Sequence, residues 1–296
     1  MGNLKEIRSR IISVKSTRQI TSAMKMVSAA KLKKAQDAVI NLRPYAKKLV
    51  GILQNIYQTI EGESESIYNR KTNIEKILIV AITSNKGLCG AFNANVIKQV
   101  TTLINEDFIK ENNEGNVSIV SFGKKGSEFF HSKGYKVAFY NNEILDKLSY
   151  ENALPFIEQV MALYEKNQAD KIMLVYNQFK NAGVQVLTAE QFLPIELDLD
   201  KDADEQIMEH FDYIFEPTKE YIVQELIPKS LKLKLYETML ESLAAEHGAR
   251  MTAMHKATDN ASEMIKELQL NYNKARQASI TNEILEIVGG AEALRK

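Results

Sequence analysis

Apolar positions recur at helical spacing over both ends of the chain. At the amino end Ile7, Ile11 and Val14 are spaced four and three, and Met24, Val27, Leu32, Ala35, Val39 and Leu42 continue the stripe. Strong helix formers such as Leu4, Lys5, Glu6, Arg8, Lys25 and Lys31 fill the positions between. Nothing breaks a helix from Gly2 to Arg43; Pro44 is a point where a kink is expected, and Leu49, Ile52, Leu53 and Ile56 resume the period beyond it. A helix over 4–58 is about 80 Å long at 1.5 Å per residue, far beyond a normal globular element.

The carboxyl end mirrors this pattern. Between Lys229 and Lys296 there is no proline, and Leu231, Leu235, Met239, Leu243, Ala249, Ala253, Ala257, Ala261, Met264, Leu268, Tyr272 and Ala275 recur mostly every three or four residues. Such a helix is about 90 Å long. Neither stripe can be buried alone, and their lengths match, so the economical arrangement is one antiparallel coiled coil built from the two ends of one chain. The many Ala, Ser and Met positions predict a thin shaft with closely spaced helices.

The middle has a different period. Glu61 to Asn73 reads as a polar linker, followed by short β-branched runs at Ile77–Ile82, Val117–Val120, Tyr135–Phe139, Ile172–Tyr176 and Val184–Leu187, with helical patterns near 91–110, 124–133 and 150–168. Alternating strand and helix predicts a mixed, mostly parallel sheet with helices on its faces. The expected fold is therefore mixed, α+β and α/β: a long antiparallel coiled coil of N- and C-terminal helices with an inserted Rossmann-like α/β domain. Its expected parts are an N-terminal coiled-coil helix over 1–60, the inserted globular domain over 74–212 and a C-terminal coiled-coil helix over 217–296.

Composition narrows the class. The 296 residues are 45% hydrophobic and 26% charged, which excludes a disordered chain. One cysteine, Cys89, cannot form an internal disulfide or a zinc cage. Neither a signal-peptide core nor an apolar run of about 18 residues occurs, so a soluble intracellular protein is expected. The net charge of zero hides an asymmetry: residues 1–60 hold twelve basic side chains against Glu6 and Asp37, while 185–225 hold twelve acidic ones against Lys201 and Lys219. The basic block favours an acidic partner, whether nucleic acid, anionic lipid or an acidic protein surface.

The search for catalytic chemistry finds little. Thr83 to Asn93 is a glycine-bearing turn between strand and helix, the place where doubly wound folds bind phosphate. It fits neither dinucleotide nor P-loop spacing, since Lys86 precedes Gly87 and Gly90, and close packing of strand, turn and helix is the better account. Cys89 has no histidine near it in sequence and reads as a small buried hydrophobe rather than a nucleophile. His131, His210, His247 and His255 are scattered, so no metal is expected. Asp198, Asp200, Asp202 and Asp204 alternate like a calcium loop but place Ala203 where the loop needs glycine. No catalytic residue and no cofactor are expected.

Three segments resemble one family, the gamma subunits of F-type ATP synthases. They are Leu4 to Ile11 with Ile20 to Val27, the turn SNKGLCGAFN, and Ile280 to Ala293. The last fits the pattern I-T-x-E-x-x-E-x-x-x-G-A at Ile280, Thr281, Glu283, Glu286, Gly290 and Ala291, and Glu267 to Ser279 extends it. The resemblance implies a non-catalytic rotor shaft, the central stalk, inside a hexameric ring of alpha and beta subunits. Its globular part would meet the epsilon subunit and the membrane-embedded c-ring, with a delta subunit in the same complex and no nucleic acid. It implies rotor–stator coupling through Met24, Lys25, Arg250, Gln277, Thr281, Glu283 and Glu286; the family usually carries glutamate where Lys25 stands. A bacterial protein is expected, because no Arg-rich presequence precedes the first motif. It would lie at the cytoplasmic side of the inner membrane, peripheral and attached through the c-ring. A nucleotide-dependent α/β enzyme with coiled-coil arms, or a basic coiled-coil nucleic-acid binder, are the competing classes.

Overall fold

The computed structural model describes residues 2–59, 67–69, 74–195 and 218–293. The acidic alternation at Asp198 to Asp204, His210 and most of the linker between Glu61 and Asn73 lie outside these residues. The chain divides into two compact units, Met1–Ala29 with Arg250–Lys296, and Ala30–Ala249.

Helix α1 runs unbroken over Gly2–Thr59, with Pro44 inside it. Proline there deletes one backbone hydrogen bond, yet the helix continues, since the apolar residues on either side keep one period. In the larger unit Leu32, Ala35, Val39 and Leu49 of α1 are buried.

The sheet belongs to the larger unit. Strand β1 (Ile77–Ile82) leads through a turn to α2 (Phe92–Thr102), which passes by a π-helical turn, Leu103–Asp107, into α3 (Ile109–Asn113). Then come β2 (Val117–Phe122), α4 (Lys124–Ser132), β3 (Val137–Asn141), α5 (Tyr150–Glu165), β4 (Lys171–Asn181) and β5 (Val184–Leu193). The strand order is β3-β2-β1-β4-β5. All neighbours are parallel except the β4–β5 hairpin. In β1 every residue is buried because both faces are covered: Leu78, Val80 and Ile82 join α5 residues Ile157, Val160 and Tyr164, whereas Ile77, Ile79 and Ala81 join Val96 and Val100 of α2. β3 starts two residues later than the run at Tyr135 predicts. The Tyr135 backbone N–H donates to the Phe130 carbonyl and its ring meets Phe130 edge-on, so this residue closes the turn after α4.

Helix α6 spans Lys219–Ala293 and includes Pro228, so it begins about ten residues before the proline-free region the sequence delimits. Ile227, Leu231, Leu235 and Met239 pack on the same core as β1 and α5, with Ile52 of α1 against them. Thr238 to Gly248 is buried on nearly every side, as for a helix covered by more than one neighbour. At Gly248 the backbone approaches the β4–β5 turn so closely that a Cβ would lie 3.1 Å from the Ala182 carbonyl oxygen. Within this unit α1 and α6 are joined by the Arg43–Glu241 ion pair at 3.0 Å. Within the smaller unit the Thr21 and Thr258 hydroxyls are 2.8 Å apart, and Met254, Ala261 and Ile265 are buried. The sheet is mixed and the two terminal helices are packed together.

Candidate functional site

The turn after β1 is held by its own side chains. The Asn93 carboxamide oxygen accepts the Ser84 backbone N–H at 2.8 Å, its nitrogen donates to Ser84 Oγ at 2.8 Å, and Ser84 Oγ donates to the Lys86 carbonyl at 2.8 Å. Leu88 and Gly90 adopt positive φ, which lets the chain reverse before α2. Cys89 is buried against Phe92 and Ala245, with Phe179 and Ala249 beside them. Across the sheet, Asn177 Nδ2 of β4 donates to the Phe92 carbonyl at 3.1 Å. Side chains of the turn and of β4 therefore pack together at the carboxyl ends of β1 and β4, where a doubly wound sheet holds phosphate in other proteins. Next to it, Gly123 has φ +101° and a Cβ there would lie 2.2 Å from the Thr83 carbonyl oxygen. The turn is a packing junction.

Among the described residues no group of three or more His, Cys, Asp or Glu side chains could hold a metal. His131 packs edge-on to Tyr140, and His255 Nδ1 lies 3.4 Å from Asp259 within its own helix. Burial raises the hydroxyl pKa values of Tyr176 and Tyr236, and nearby Glu190 adds to the effect on Tyr176. Both phenols are neutral structural groups.

The residues to which the resemblance assigns coupling all belong to the smaller unit. Met24 and Lys25 are half-buried on α1, and Arg250 is buried on α6. Gln277, Thr281, Glu283 and Glu286 are exposed near the end of α6. Among the described residues no hydrogen bond or ion pair joins Lys25 to those four. Thr281 Oγ1 donates to the Gln277 carbonyl at 2.9 Å, and Ser279 Oγ donates to Glu283 Oε1 at 3.3 Å. The Thr281 hydroxyl thus serves its own helix, leaving the Gln277 carboxamide and the two carboxylates facing outward.

Two features escaped the sequence reading. Ile280, Ile284, Leu285, Ile287 and Val288 are all exposed, Ile287 by 71%, among the polar residues of this helix end. Their signal was present, five large apolar residues beyond the last position of the stripe. On α1, Val27 is exposed by 58% and Ser28 takes the buried position. Its hydroxyl donates to the Met24 carbonyl at 2.8 Å, so a buried serine leaves no unmet polar atom.

Two long helices packed together at the ends of one chain, with a five-stranded sheet domain inserted between them, define a helical-hairpin protein that carries an α/β insert. A family profile described as ATP synthase matches residues 3–294. The chain is 55% identical to the ATP synthase gamma chain of Christiangramia forsetii and 56% to that of Flavobacterium johnsoniae, in each case over 99% of both chains. Its fold is similar to a chain of the Tetrahymena thermophila mitochondrial ATP synthase central stalk and c-ring. There the TM-score is 0.56 at 26% identity, over 80% of this chain and 99% of that one. A chain of the Euglena gracilis mitochondrial ATP synthase gives a TM-score of 0.68 at 22% identity, over 99% and 95%. The chain belongs to the ATP synthase gamma chain family. It is the central-stalk rotor of an F-type ATP synthase and a non-catalytic subunit, which sets aside the nucleotide-dependent enzyme and the nucleic-acid binder. No described helix is long and apolar enough to cross a membrane.

Proposed function

We propose that this rotor turns inside a ring of alpha and beta subunits and couples proton flow through a c-ring to the cycling of catalytic sites on beta. In this reading 1–60 and 217–296 form the shaft, and 74–212 form the globular part that meets epsilon and the c-ring, with delta in the same complex. The complex sits at the cytoplasmic side of a bacterial inner membrane, and this chain is peripheral to it. Met24, Lys25, Arg250, Gln277, Thr281, Glu283 and Glu286 are the rotor–stator contacts.

The observation that carries this reading is the end of α6, where exposed Ile280, Ile284, Ile287 and Val288 alternate with exposed Gln277, Glu283 and Glu286. A solvated helix end gains nothing from apolar side chains that water surrounds, whereas a surface that slides against a surrounding ring gains low-friction packing from them. Carboxylates between them supply directional bonds that form and break at each rotational stop. Glu283→Gln should lower steady-state ATP turnover of the assembled complex while nucleotide binding to beta is unchanged. Wild-type turnover in a correctly assembled variant would contradict the assignment.

A further inference from the structure

Where α1, α6 and the β4–β5 hairpin meet inside the larger unit, three carboxylates face two cations. Lys234, Glu237 and Glu241 follow one another at spacings of three and four, so they share one face of α6. Arg43 reaches from α1 to Glu241, whose side chain is only 7% exposed. Lys234 reaches to Glu190 of β5 at 3.1 Å, and Tyr176 of β4 donates its hydroxyl to the same carboxylate at 3.0 Å. Both cations are thus engaged by the outer two carboxylates. Glu237 lies between them with no ion pair of its own among the described residues, half-buried and four residues from Glu241.

We propose that Glu237 is a proton-accepting joint that ties β5 and α1 more firmly to α6 as the pH falls. With all three carboxylates ionised the group has one excess negative charge in a partly dehydrated seam, and Glu237 repels both Glu241 and Glu190. Neutralising it leaves two carboxylates matched to two cations. Burial, and then Glu241, hold the Glu237 carboxyl above the ordinary glutamate range; Lys234 and Arg43 oppose the rise and Glu190 adds to it. The packed seam therefore binds the proton more tightly than the opened one. Its extra stability is complete below the opened-state value and is lost as the pH rises through the packed-state value. The joint belongs to the larger unit and the residues proposed for rotor–stator coupling to the smaller one, and it sets how stiffly the sheet domain is held on its two helices.

The test is hydrogen exchange of the assembled ATP synthase between about pH 5 and about pH 8, normalised to the intrinsic rate at each pH. Peptides covering Val184–Leu193 and Lys234–Glu241 should lose protection as the pH rises, by up to about tenfold for each unit that the packed-state midpoint lies above the opened-state one. Glu237→Gln, neutral at every pH, should abolish that slope and hold the protection of the acidic state throughout. A wild-type complex without the slope, or a Glu237→Gln complex that keeps it, would overturn the proposal. If that variant does not assemble, Arg43→Gln serves instead. Loss of a facing cation should move the slope to higher pH, and an unmoved slope would equally overturn the proposal.

Discussion

Gly123 and Thr83 illustrate how tightly single residues fix the junction beside the β1 turn. Thr83 donates its backbone N–H to the Phe122 carbonyl at 2.8 Å, and its hydroxyl accepts the Gly126 N–H at 2.9 Å. A side chain at Gly123 meets the Thr83 carbonyl and also needs a backbone conformation that L-residues avoid. Gly123→Ala should destabilise the chain by about 3 kcal/mol, measured by denaturant unfolding. A loss under about 0.5 kcal/mol, the range of neutral surface changes, would contradict the junction described above. The glycine-bearing turn was legible in the sequence, because Gly87 and Gly90 punctuate it between a strand and a helix. Gly123 was not, since its role depends on a backbone contact with a residue forty positions away.

The long helices were legible as elements from their period and their helix formers, but the buried positions were only partly so. A strict apolar rule selects Val27 and Met264, yet the structure buries Ser28 and Ile265. The period of a coiled coil, not the polarity of one residue, decides which side faces inward, and a serine that bonds its own helix enters at little cost. The same holds for Thr21. Its hydroxyl donates to the Arg18 carbonyl at 3.1 Å and accepts the Thr258 hydroxyl at 2.8 Å. This bond between helices fixes how α1 and α6 are aligned. A double-mutant cycle with Thr21→Val and Thr258→Val should give a coupling energy of about 1 kcal/mol in unfolding experiments. Strict additivity would show that the two hydroxyls act independently. Strands β4 and β5 run beyond their expected ends for a related reason: Asn177 to Lys180 and Thr188 to Gln191 are polar or mixed, which hides strand residues that pair in a hairpin.

At the scale of the whole chain, the charge asymmetry and the paired ends favour a chain that meets an acidic partner. Identity over the full length with gamma chains turned that expectation into a family assignment, which charge alone left open among acidic partners. Reversing the charges of Lys25, Lys31, Lys33 and Lys34 together should change the ratio of proton pumping to ATP hydrolysis. The effect should diminish with added salt, because exposed pairs are screened beyond about 8 Å at physiological ionic strength. An unchanged ratio would make these lysines a solvated face.

Rotation itself can be watched. Cys89 is only 2% exposed, so a cysteine introduced at exposed Lys133 supplies a selective attachment point for a bead on the sheet domain. With the ring of alpha and beta subunits fixed to a surface and ATP supplied, the bead should turn in one direction, pausing once for each catalytic beta subunit. ATP turnover at the wild-type rate with a bead that stays still would contradict the rotor.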